Sequence, residues 1–208
     1  MTGTSEETAM PAGPRWDPLV RLTHWGIAAA VLLNGLVIEE GGAIHVWIGY
    51  AALAMLALRL VWGLAGTGPA RFSAFPPSLS AARAHLSDML SGRHRVHRSH
   101  NPLGALMVYA LWAMLAVVTA TGIAMAGSPL APRPGDEAGY GRAAVVAGHD
   151  EAAEEHGGAE SAAGEALEEV HEVAANLLLL LAAMHVGGVA LESRLSGRNL
   201  VRPMLKGS

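Results

Sequence analysis

Apolar residues along this 208-residue chain gather into four long runs separated by polar, Gly/Pro-rich or charged stretches, at roughly 19–38, 45–65, 103–126 and 170–191. Each run is close to the roughly 20 residues that an α-helix needs to cross the hydrocarbon core of a bilayer. The pattern predicts an all-α protein, a transmembrane four-helix bundle with both termini on one side. Ala, Leu, Val and Gly dominate the spans, with Trp25, Trp47, Trp62 and Trp112 placed for membrane interfaces or packing seams. The stretch S-L-S-A-A-R-A-H-L-S-D-M-L between the second and third spans reads as a short amphipathic helix at the membrane surface.

Composition agrees with this picture. Hydrophobic residues make up 51% of the chain and charged residues only 15%, against about 25% charged in a typical soluble domain. The first sixteen residues lack the basic start and apolar centre of a secretory signal and are expected to form a disordered cytoplasmic tail. Residues 17–204 then form one membrane domain, with 127–169 as a loop inside it.

Charge orients the spans. Arg15 and Arg21 precede the first, while Arg71, Arg83, Arg93, Arg95 and Arg98 fill the connection between the second and third. Arg194, Arg198, Arg202 and Lys206 follow the fourth. The turn after the first span is E-E-G-G-A-I, and the 127–169 connection holds ten carboxylates against Arg133 and Arg142. By the positive-inside rule both termini and the 66–102 loop of this multi-pass protein lie in the cytoplasm, and the acidic loop faces outward. The second part of that loop is a low-complexity Ala/Glu/Gly stretch, expected to be flexible or weakly helical.

Cysteine is absent, which removes disulfides, thiolate metal sites and covalent C-x-x-C-H haem attachment. Histidine carries the candidate chemistry. His171 and His185 bracket the uncharged run V-A-A-N-L-L-L-L-L-A-A-M, and fourteen residues of helix put them about 21 Å apart and within about 40° of one face. Ionisable groups in membrane spans are costly and usually functional. With the chain oriented, His24 shares the cytoplasmic depth with His185, and His45 shares the outer depth with His171. Two pairs of imidazoles at two depths suit two bis-histidine b haems. A zinc site would instead gather four ligands at one level, and any single histidine among these can simply bond a neighbouring backbone carbonyl.

Arg59 is the one basic residue buried inside a span, away from its ends, and lies fourteen residues after His45, at the cytoplasmic depth. It is placed either to pair with a propionate of the inner haem or to snorkel its guanidinium into the headgroups. The remaining histidines are weaker candidates. His94, His97 and His100 sit among arginines in a basic loop suited to anionic lipid, His149 and His156 lie in the acidic loop, and His85 is expected at the surface.

The segments R-W-D-P-L-V-R-L-T-H-W, H-V-W-I-G-Y-A-A-L-A-M-L-A-L-R-L-V-W-G, H-N-P-L-G-A-L-M-V and L-E-E-V-H-E-V-A-A-N-L-L-L-L-L-A-A-M-H-V-G-G-V, in this order over about 15–204, together resemble the bacterial cytochrome b561 and nickel–iron hydrogenase cytochrome b family. The resemblance implies a four-helix inner-membrane dihaem cytochrome, a fold of the dihaem cytochrome b type. It places His24, His45, His171 and His185 at the family's axial-ligand positions and Arg59 near a haem edge. The H-N-P-L-G run is family-like without an assigned chemical role. The function it implies is transmembrane electron transfer between the quinone pool and a redox partner, such as a periplasmic cytochrome c or an oxidoreductase subunit. The chain would then be an electron-transfer protein or membrane subunit rather than a stand-alone enzyme, although a quinol-oxidising enzyme in its own right fits the same residues. Its surroundings are the lipid bilayer, a homo-oligomer is compatible, and no nucleic-acid partner is expected. The rival reading is a non-redox membrane module, either a histidine metal transporter or an assembly anchor. A transporter would place carboxylates in its spans, and the span cores lack Asp and Glu.

Overall fold

Asp17 and Pro18 start the first helix for local reasons: the Asp17 carboxylate accepts the Leu19 and Val20 N–H groups, and Pro18 occupies a first-turn position where no donor is needed. In the computed structural model, which describes residues 17–66, 68–91, 101–126, 154–197 and 199–206, this helix α1 runs Pro18–Leu36. A turn with Gly41 at positive φ leads into α2, Ala43–Ala65. Two short 3-10 turns, Gly68–Ala70 and Phe72–Ala74, precede α3 at Leu79–Leu90. Helix α4 covers Pro102–Ala126, α5 covers Glu154–Ser196 and the short α6 covers Val201–Lys206.

Four of these helices are long and apolar enough to cross a membrane, within α5 over Ala162–Ser196. They pack as a ring in which α1 neighbours α2 and α5, and α4 neighbours α2 and α5. Their outward faces are apolar: Val61, Leu180 and Val186 are 61%, 56% and 67% exposed. A surface of that kind is stable against lipid and unstable against water. The interior is a layer of Ala30, Ala52, Leu56, Leu115 and Leu178, contributed by all four long helices. Leu178 lies seven residues from both His171 and His185, so this dry layer sits midway between the two histidine depths.

The spans agree with the hydropathy pattern to within a few residues, with two departures. Helix α5 begins at Glu154, well upstream of the apolar run, because Ala and Glu favour helix; that part of the acidic loop is continuous helix. Helix α3 packs along α4, and His85 is buried at 7% exposure one turn from buried Ala82, which corrects its expected surface position. An amphipathic helix whose Ala and His share one stripe buries that stripe once a neighbour is available. The expected tail 1–16, the basic-loop histidines His94, His97 and His100, and His149 lie outside the described residues.

Candidate functional site

Helix register brings the four span histidines together in twos. At one end of the bundle, near the start of α1, the rings of His24 on α1 and His185 on α5 have centroids 6.2 Å apart with planes at 57°. At the opposite end, near the start of α2, His45 on α2 and His171 on α5 also stand 6.2 Å apart, at 60°. Both separations can be tested against bonding. An end-on N–H···N hydrogen bond of about 2.9 Å would bring two ring centres to roughly 5.2 Å. Two imidazoles holding one metal from opposite sides, at about 2.0 Å per bond, put the centres about 6.3 Å apart. The observed gaps fit the second arrangement at both levels. Among the described residues, no three His, Asp or Glu side chains converge as a metal cluster, so a tetrahedral zinc site has no counterpart here.

The surroundings of His24, His45 and His171 differ. His24 has Trp25 edge-on at 5.0 Å, and its buried Nδ1 has no partner. The His45 Nδ1 is likewise buried and unpartnered, while its backbone carbonyl accepts the Asn34 amide N–H at 2.9 Å. His171 differs: its Nδ1 lies 2.9 Å from the Thr121 hydroxyl. A Cβ at Gly122 would come within 3.2 Å of its Cε1, so the glycine lets the α4 backbone lie against the ring. Asn34 and Thr121 escaped the sequence reading. Their signal was a polar residue within an otherwise apolar helical run, an amide in L-L-N-G-L and a hydroxyl in T-A-T-G.

Arg59 is held inside the protein rather than snorkelling outward. Its side chain is only 5% exposed, and Nη2 donates to the Ala70 carbonyl at 3.1 Å. The guanidinium carbon lies 5.0 Å from the Trp112 ring centre and 5.8 Å from that of Phe72, an aromatic enclosure that favours a cation. Phe75 and Tyr109 complete the cluster. Nη1 is buried with no partner, leaving one donor edge of a buried cation for an anion.

The end of the bundle that holds the start of α1 is tied together by polar contacts. The Trp62 indole N–H donates to Asp17 at 3.2 Å, joining the end of α2 to the start of α1. Arg21 donates to the Met204 carbonyl at 3.0 Å and to that of Leu205, and the Trp25 indole N–H donates to Met204 at 3.2 Å, docking α6 across α1.

A four-helix membrane protein with two stacked histidine pairs and a dry layer between them has the architecture of a transmembrane dihaem cytochrome. The sequence model of prokaryotic cytochrome b561 matches residues 15–207, nearly the whole chain, and the chain belongs to that family. No individual curated protein and no solved structure shows significant similarity to it. Family membership makes it a membrane cytochrome that binds two b haems and transfers electrons to or from quinones. The non-redox alternatives, a metal transporter or a bare anchor, are thereby set aside.

Proposed function

We propose that His24 and His185 are the axial ligands of an inner b haem, that His45 and His171 are those of an outer one, and that Arg59 pairs with a propionate of the inner haem. The observation carrying this reading is the 6.2 Å ring separation repeated at both depths, the spacing of imidazoles across a shared metal. Haem b supplies reversible one-electron chemistry when bound. The chain's own residues do the rest. The His171–His185 interval fixes about 21 Å between the two ligand levels along one helix, and Ala30, Ala52, Leu56, Leu115 and Leu178 keep water out of the space between them.

The charge pattern supports an orientation in the bacterial inner membrane with both termini and the 66–102 loop cytoplasmic, so that His45 and His171 face the periplasm. In that setting the protein links the quinone pool to a periplasmic cytochrome c or an oxidoreductase subunit.

Reduced-minus-oxidised spectra with haem quantitation on the purified protein test the ligand reading. Two b haems per chain are expected, with His171→Ala losing the outer one and His185→Ala the inner one. Retention of both haems in either variant would refute the assignment.

A further inference from the structure

His24, His45 and His171 are not equivalent in what stands behind them. The Nδ1 atoms of His24 and His45 are buried without partners, whereas His171 Nδ1 meets Thr121 Oγ1 at 2.9 Å. The same Oγ1 lies 2.9 Å from the Val117 carbonyl and 3.1 Å from that of Val118. A hydroxyl has one proton, and carbonyls can only accept, so that proton is committed to the α4 backbone. Thr121 must therefore accept from His171, which puts the imidazole proton on Nδ1 and leaves the Nε2 lone pair free for a metal. Gly122, next in sequence, allows the α4 backbone against the ring at Cε1 and limits its rotation from that side. Hydroxyl and glycine together fix both tautomer and orientation.

We propose that Thr121 is a positioning residue of the outer haem, acting through His171 to lower that haem's midpoint potential and to set its imidazole plane. A hydrogen bond accepted from the distal N–H of a ligating imidazole makes the ligand more electron-rich, and a more electron-rich ligand favours the oxidised iron. Removing the acceptor therefore raises the potential. The inference rests on the reading of His45 and His171 as the outer pair, and it adds a means by which the two haems acquire different potentials.

The test uses the full-length protein, purified with its haems, carrying Thr121→Val, which keeps the shape and removes the acceptor, Thr121→Ser, which retains it, and His171→Ala in parallel. Redox titration of the α-band resolves two components, and the one lost in His171→Ala is the outer haem. Thr121→Val is expected to keep both haems, to shift the outer component upward in potential, to move its low-spin EPR signal and to leave the inner component in place. Thr121→Ser is expected to restore the original values. If Thr121→Val does not assemble, Thr121→Ala removes the same hydroxyl without added bulk and is read in the same way. An unchanged outer potential and EPR signal in a haem-replete Thr121 variant would overturn the proposal. Survival of the outer haem in His171→Ala would instead overturn the ligand reading beneath it.

Discussion

Arg59 illustrates how a single residue can be read as an unfinished contact. A guanidinium in a membrane interior is expensive unless its donors are met, and here one donor reaches Ala70 while Trp112 and Phe72 cover its surroundings. The unpartnered Nη1 is the part that a haem propionate would complete. A nearby cation stabilises the reduced, less positive iron, so Arg59→Gln is expected to lower the midpoint potential of the inner haem and leave that of the outer haem unchanged, as read by redox titration. The variant should also lose about 1–3 kcal/mol of stability from the missing charged hydrogen bond. A stability loss with no shift in potential would reduce Arg59 to a staple between α2 and the 68–74 turns. The sequence showed this residue's depth and its register with His45, since both follow from helical period. Its enclosure was hidden because Phe72 and Phe75 lie outside the spans and reach it only once the chain has folded back.

Helix by helix, the starts are written in short polar signals. Asn101 accepts the Gly104 N–H at 2.6 Å through its side chain, ahead of Pro102 in the first turn of α4, and Asn199 accepts the Val201 and Arg202 N–H groups to begin α6. This gives the N-P-L-G part of the H-N-P-L-G run a structural role as a helix start. Asn101→Ala is expected to cost about 1 kcal/mol and Asn101→Asp to be close to neutral, measured as the midpoint of thermal haem loss in detergent. Asp17 does two jobs, capping α1 and accepting the Trp62 indole N–H, so Asp17→Ala should cost more than Asn101→Ala in the same assay, about 2 kcal/mol. The spans and the two-by-two grouping of histidines were legible because apolar run length and a fourteen-residue interval both translate directly into helix geometry. The burial of His85 and the contact between Thr121 and His171 were not. They depend on how α3 and α4 are rotated about their own axes, and α4 is so uniformly apolar that its sequence offers little to fix that rotation.

At the scale of the whole molecule, the proposed inner and outer sites rest on the segregation of Lys and Arg along the chain. The absence of cysteine makes this unusually direct to test, since any introduced thiol is the sole reactive one. Glu40, exposed in the turn between α1 and α2, and Ser87, exposed on α3, lie in connections at opposite ends of the bundle. With both termini cytoplasmic, a Glu40→Cys variant is expected to react with a membrane-impermeant maleimide in right-side-out vesicles, and Ser87→Cys only in inverted ones. Both variants should keep two haems, which confirms that the labelled protein is the folded one. The reverse labelling pattern would turn the molecule over: His24, His185 and Arg59 would then face the periplasm, and the haem held against Thr121 would be the cytoplasmic one. The expected pattern puts the potential-lowering hydrogen bond on the periplasmic side and the buried, potential-raising arginine on the cytoplasmic side. In that arrangement those two groups would bias electrons from the outer haem toward the inner one, so the vesicle experiment also tests the direction across the membrane that this asymmetry would favour.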